Sequence, residues 1–321
     1  MEVTASVRDE LAELTGAQAG AIARRQLRRL GVSREVVRSH LRGRRWQRPL
    51  PGTYVVFTGP LPPLTRVWAA VLYAGEEAVA SHRTAAWLHA LVDDLPVRLD
   101  VCVPHGHRHK GSRPGVRVRQ SRRYLERAHP ALLPPRTRLE DTVLDMTDDT
   151  RRSDEVITLV LRACQRRLTT AARLRQAARR RSRLRWRALL RDLLADVVDG
   201  VQSALERRYR RNVELPHGLP RGARNRQEGP GRRRRYRDVR YKRWRLLVEL
   251  DGRAAHPEEW QERDDIRDNA ALDDDGSVTL RYGWQSVTGS PCAVAAQVAR
   301  RLGRHGWPGR VRRCGPTCSA A

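Results

Sequence analysis

The sequence predicts an α+β winged helix-turn-helix region, then a helical connector, then an α/β domain in which a mixed sheet is flanked by helices. Three observations lead there. Two short helical segments meet at Gly31 and run into an alternating stretch containing Pro51-Gly52. A Leu- and Arg-rich helical stretch follows from about 153 to 198. Beyond residue 200, helix-period and strand-period segments alternate, which is the pattern of an α/β layer. The predicted boundaries are 1–62, 63–150 (an α+β extension), 151–199 (the basic connector) and 200–321.

The charge balance limits the partners. Against 36 acidic residues stand 64 basic ones, a net charge of +28 over 321 residues, so a polyanion is the expected partner and nucleic acid the commonest case. Lysine occurs only at Lys110 and Lys242. Codon bias accounts for arginine in place of lysine, but less well for the excess of bases over acids. No apolar run approaches the ~20 residues of a membrane span, and the N-terminus has no apolar core of a signal peptide, so no membrane partner and a cytoplasmic location are expected.

Taken in order, "AQAGAIARRQLRRLG" has apolar residues at helical spacing and stops at Gly31. "SREVVRSHLRGRRW" follows, with Ser33 as N-cap and Gly43 as stop, and "RWQRPLPGTYVVFTG" reads as a hairpin. A tight helix pair with a basic second helix and a β-wing points to DNA, with Arg34, Arg38, Arg42, Arg44 and Arg45 meeting phosphates and base edges. The competing reading is an αα-hairpin with solvated arginines. Two helices over 63–91 and two strands, "VRLDVCVP" and "GVRVRQS", build the extension. His105, His107 and His109 lie in a Gly/Pro/Ser loop, where a solvated basic turn is favoured over a metal site. In the connector, Leu174, Leu184, Leu189, Leu190, Leu193 and Leu194 recur among arginines, as for a helix with one packed and one cationic face.

The last domain holds an anomaly: carboxylates among apolar residues in a polycation. Ser203 and Glu206 are spaced as a capping box. Strands are expected over about 233–241 and 244–251, turning at Lys242-Arg243 so that 241 faces 244. Period-two alternation then puts Val239, Tyr241, Trp244, Leu246, Val248 and Leu250 on a core face, and Asp238, Leu247, Glu249 and Asp251 on the other. Asp238 and Glu249 would be diagonal neighbours, roughly 7–8 Å apart, close enough to share a divalent cation. Ion pairing with the abundant arginines is the alternative. Gly252 permits close backbone approach, and His256 follows near the start of a helix that carries Arg263 and Arg267 on one stripe and Asp264 and Asp268 on the next. The arginine pair could hold a phosphate bidentately; a solvated charge lattice is equally expected. The strand "SVTLRYGW" and a helix after Ser290 complete the domain.

Five widely spread cysteines do not form a secretory disulfide pattern. Cys314 and Cys318, with Cys292 upstream, would hold a structural Zn²⁺ if a histidine such as His305 completed the shell. The spacing fits no standard ligand pattern, so ordinary thiols, or one disulfide formed on purification, are expected instead.

"SALERRY", "RDVRY", "LLVELDGRAAH", "ERDDIRDN" and "LRYGW" in this order resemble the PD-(D/E)xK nuclease superfamily, in particular bacterial proteins similar to the very-short-patch repair endonuclease. The resemblance spans about 200–303 and implies a restriction-endonuclease-like fold and a Mg²⁺- or Mn²⁺-dependent endonuclease. Residues 17–90 are similar to the winged-helix domain of AbiEi-type antitoxins, which leaves a toxin partner open. The likeness implies Asp238 as the metal-bridging acid, Glu249 as the second acid and Glu206 as a helix acid reaching the site. His256 would assist the attacking water, and Asp264 would be a further supporting acid. Asp251 stands where the superfamily commonly has lysine, a departure that bears on proton transfer. A DNA-binding regulator or antitoxin with an inactive nuclease fold is the alternative function, and RNA remains open beside DNA as substrate.

Overall fold

The computed structural model describes residues 5–106, 111–197, 201–223, 239–251, 271–272 and 278–320. The chain is mixed α/β and forms two compact units, Met1–Met146 and Thr147–Ala321.

The first unit opens with α1 (Ala5–Ala17), β1 (Ala21–Ala23), α2 (Arg24–Arg29), α3 (Arg34–Arg42), β2 (Gln47–Leu50) and β3 (Thr53–Val55). The strands form an antiparallel sheet in the order β1-β3-β2, with Ala21 opposite Val55 and Ala23 opposite Thr53. Ile22, Leu27, Val32, Val37, Trp46 and Tyr54 form one core cluster. Full burial of an Ile or Leu contributes about 1.5–3 kcal/mol, enough to hold these short elements together.

One expectation fails here. "AQAGAIARRQLRRLG" is not a single helix but a turn, β1 and the six-residue α2. Ala21, Ile22 and Ala23 are all buried, so the strand has no polar alternation to reveal it, and alanine reads as a helix former. The rest of the unit comprises α4 (Pro63–Ala74), β4 (Val79–Ala80), α5 (His82–Leu88), β5 (Leu99–Pro104), β6 (Val116–Ser121), α6 (Tyr124–Arg127) and α7 (Leu139–Asp149), the last crossing into the second unit. β5 pairs with β4 antiparallel and with β6 parallel. His105 is exposed after β5, whereas His107 and His109 lie outside the described residues.

In the second unit the expected connector is three helices, α8 (Ser153–Gln165), α9 (Ala171–Arg179) and α10 (Arg187–Asp196). Thr170 starts α9 by accepting the Arg173 N–H at 3.3 Å. Leu174, Leu190, Leu193 and Leu194 are buried, and α8 packs on α10 and α11 (Val201–Arg208). The segment is therefore part of this unit's core. Ser203 lies within α11 and is not its N-cap, which removes the expected capping box.

Helix α11 continues as a π-helix, Tyr209–Glu214, and a last turn α12 (Leu215–His217), closed by Gly218 at φ +65. The sheet that follows comprises β7 (Val239–Tyr241), β8 (Leu246–Asp251), β9 (Ala271–Leu272) and β10 (Val278–Gly283), in the order β7-β8-β10-β9. β7 and β9 run antiparallel to their neighbours, while β8 and β10 are parallel. Helices α13 (Trp284–Gly289) and α14 (Pro291–Arg304) close the unit; α11 packs on β8 and α13 on β10.

The hairpin register differs from the expected one. Lys242–Trp244 form a 3-10 turn, Arg245 adopts φ +46, and Tyr241 pairs with Leu246. Trp244 therefore leaves the core face and is half-buried. Leu247, expected beside the acids, is buried, because β8 is an interior strand.

Glu214, fully interior, is stabilised by donors from both sides. The Tyr241 hydroxyl donates to its Oε1 at 2.8 Å and the Gly222 N–H at 3.1 Å, and the two tyrosine hydroxyls of Tyr209 and Tyr241 lie 3.2 Å apart. Burial, helped by Tyr209 and Glu214, pushes the Tyr241 hydroxyl well above its ordinary range, so it remains a donor. Tyr241→Phe removes one donor from a buried carboxylate and is expected to cost about 1–3 kcal/mol. The measurement is a lowered urea midpoint at unchanged slope.

Candidate functional site

Two surfaces and one side-chain cluster have chemical content. The first surface is the outer face of α3. The Ser33 hydroxyl accepts the Val36 N–H at 3.3 Å and fixes the helix start, and Val37 is turned into the core. Arg34, Arg38 and Arg42, spaced by four, then share the opposite stripe, and all three are exposed. Glu35 is the helix's sole acid; its own backbone N–H and the Ser33 hydroxyl, with smaller contributions from Arg38 and Arg24, hold its carboxyl below its ordinary value. After Gly43, Arg44 takes φ +53 and leads into β2, so Arg44, Arg45 and Arg48 extend the cationic surface toward the β2–β3 hairpin. Trp46 anchors this corner by stacking on the His40 ring, with centroids 4.5 Å apart and planes at 10°. All five arginines expected from the sequence for DNA contact are thus brought together.

The second surface is the sheet of the second unit. Glu249 lies on β8 opposite Arg281 of the parallel strand β10, and the Arg281 Nε–H donates to Glu249 Oε2 at 2.7 Å. The guanidinium is 66% exposed and the carboxylate 29%, so solvent screens the pair. Glu206 is half-buried on α11, the helix that packs on β8. Asp251 closes β8 opposite Gly283. Val239 opposite Val248 is the last described pair of the hairpin, one residue along the chain from Asp238 on one strand and from Glu249 on the other. Asp238, His256, Arg263, Asp264 and Arg267 lie outside the described residues.

The cluster comprises His217, Cys292, Cys314 and Cys318, whose ligand atoms all lie within 4.8 Å of one another. His217 is fully buried at the end of α12; its Nδ1 lies 3.0 Å from the Val213 carbonyl, and its Nε2 is buried with no hydrogen-bond partner. Cys292 is in the first turn of α14, with its Sγ 3.5 Å from that of Cys314. Backbone N–H groups at Cys314 and Ala320 pull the Cys318 thiol down to about 6, whereas hydrogen bonding with Cys292 and Cys318 pushes Cys314 up to about 11. His305 caps the other end of α14 and does not belong to the cluster.

Sequence reasoning missed Glu214, His217 and Arg281. One signal was available: Leu205, Tyr209, Val213 and His217 recur at intervals of four, a single inward stripe. Nothing in the local sequence distinguishes Arg281 from its many neighbours.

His40 offers a check on the first surface. Burial, with a smaller contribution from Arg45, lowers its ring below the ordinary value of 6.5. As pH falls, the unfolded chain takes up this proton first, so stability from the neutral stacked ring is present above about 6.5 and lost as pH drops through the folded midpoint. NMR of the ring protons should give a midpoint below 6.5, and the gap in stability between wild type and His40→Ala should narrow on going from about pH 7.5 to about 5.5.

In comparisons with known proteins, the chain matches no family model and no curated protein.

Proposed function

We propose that this protein binds duplex DNA through its first unit and hydrolyses phosphodiester bonds with the sheet of its second. The observation that carries the reading is the exposed stripe Arg34-Arg38-Arg42 on a capped helix, continued by Arg44 and Arg45 beside a β-hairpin. The order helix, strand, two helices and hairpin suits a winged helix, with α3 entering the major groove and the hairpin meeting the backbone. Guanidinium groups fit phosphate oxygens bidentately, so a row of them adds orientation to affinity.

The hydrolytic half is supported by the β7–β8 hairpin, by Glu249 on its second strand and by Glu206 on the helix packed behind. Carboxylate oxygens are the donors that Mg²⁺ or Mn²⁺ prefers, and the screened, solvent-facing Arg281 is a weak competitor for Glu249. In this reading Asp238 and Glu249 hold the ion, which when bound polarises the scissile phosphate and lowers the pKa of a water. His256 orients that water and takes its proton, Glu206 positions Glu249, and arginines offset the charge that develops on the phosphate.

The Glu249–Arg281 pair favours a second reading as well: a carboxylate neutralised by a guanidinium suits a nuclease fold that binds without cutting. Plasmid incubated with Mg²⁺ or Mn²⁺ separates the two. Cleavage by wild type that Asp238→Ala and Glu249→Ala each abolish is expected; equal nicking by wild type and both variants places the hydrolysis elsewhere. For binding, log Kd should depend steeply on log salt, each phosphate contact contributing roughly 0.9 to the slope. Replacing Arg34, Arg38 and Arg42 together by Ala should lower that slope by roughly 2–3, and an unchanged slope would remove α3 from the interface.

A further inference from the structure

We propose that His217, Cys292, Cys314 and Cys318 form a Cys₃His site for a single structural Zn²⁺ that fastens the C-terminal tail to the end of α12. The argument starts from the histidine. With Nδ1 donating its proton to the Val213 carbonyl at 3.0 Å, the ring carries a lone pair on Nε2. That nitrogen is buried and meets no donor, an orphan that native structures rarely tolerate. A backbone hydrogen bond at one ring nitrogen is also the usual support of a histidine whose other nitrogen binds a metal.

The thiols face the same point from two other directions. Cys292 comes from the first turn of α14, and Cys314 and Cys318 from the tail, whose turn is closed by the Cys318 N–H donating to Gly315 at 3.2 Å. A tetrahedral Zn²⁺ with Zn–S of ~2.3 Å and Zn–N of ~2.0–2.1 Å separates its ligands by roughly 3.5–3.8 Å. The Cys292–Cys314 distance of 3.5 Å and the 4.8 Å outer limit of the set match a ligand shell that needs only a small contraction. Four ligands leave no open position, which makes the site structural. Three soft thiolates and an imidazole select Zn²⁺ over Mg²⁺ or Ca²⁺. On binding, each thiol that is still protonated releases its proton, so the site holds three thiolates against a 2+ ion, an excess of one negative charge. Exposed Arg312 and Arg313 stand in the tail beside it, and the Arg312 N–H already donates to the His217 carbonyl at 2.9 Å. Gly218 completes the joint: a Cβ there would fall 2.9 Å from Arg312 Cδ, so the tail crosses where a side chain would obstruct it.

A disulfide between Cys292 and Cys314 is the competing chemistry. It would leave Cys318 and the His217 nitrogen unused. The test takes the full chain purified under reductant. Elemental analysis should give one zinc per chain. After stripping and reloading with Co²⁺, thiolate-to-metal charge-transfer bands and strong tetrahedral d–d bands should appear at one equivalent. Cys314→Ser, at an exposed position, should weaken Co²⁺ binding at least roughly tenfold and speed tryptic cleavage in the 308–313 segment. Cys102→Ser, at a buried thiol outside the cluster, should bind Co²⁺ as wild type does. Reduced wild type that holds no zinc and gives no cobalt bands overturns the proposal. So does Cys314→Ser with wild-type affinity, or a stoichiometric Cys292–Cys314 disulfide in freshly purified chain. If Cys314→Ser fails to fold, the stripped and reloaded wild type still decides. None of these readouts depends on DNA cleavage.

Discussion

A chain with 64 bases and 36 acids cannot neutralise itself, and this shortage of carboxylates governs which of its surfaces are stable and which are reactive. Inside, the few acids are matched to particular guanidiniums: Asp145 accepts from Arg127 at 3.3 Å, Asp196 from Arg208 at 2.6 Å and Asp100 from Arg119 at 3.3 Å. Removing either member would strand a charge in a low-dielectric setting, at a cost far above the net worth of the pair. Glu214 is stabilised differently, by a tyrosine hydroxyl and a backbone N–H, with no guanidinium needed. The remaining arginines must find anions outside the protein, which is the physical basis for reading α3 as a polyanion contact.

Much of the first unit's contact surface was legible because it depends on local chemistry. Ser33 before an apolar-periodic run, Gly43 after it and Pro51-Gly52 in an alternating stretch each act within a few residues, and each does in the fold what its chemistry suggests. The failures are equally physical. β1 is three small or aliphatic residues buried on both faces, so its period could not show. The hairpin turn uses Arg245 at positive φ, where Asn or Gly would have given the signal, and the ladder is offset from the expected one by two residues on the second strand. Thr170, not a glycine or proline, divides the presumed connector.

The metal ligands fall between these cases. Cys314 and Cys318 are close enough in sequence to attract notice, but His217 and Cys292 reach them only through the packing of α12, α14 and the tail. His305 was the nearer histidine by sequence and the wrong one in space. In the sheet, by contrast, alternation identified Glu249 as the acid of β8, yet could not foresee Arg281, because parallel pairing across β10 is a tertiary fact.

The π-helix at Tyr209–Glu214 has a consequence for how this unit can change over time. A stripe with a strict interval of four drifts around an ordinary helix of 3.6 residues per turn, and the widened turn absorbs that drift, keeping Tyr209, Val213 and His217 pointed inward together. Loss of a single residue from the widened turn would therefore act as a rotation of everything downstream by about 100°. The helix would survive such an event with its length nearly intact, while Glu214 and His217 swung out of reach of their partners, so insertions and deletions here are governed by phase and not by size.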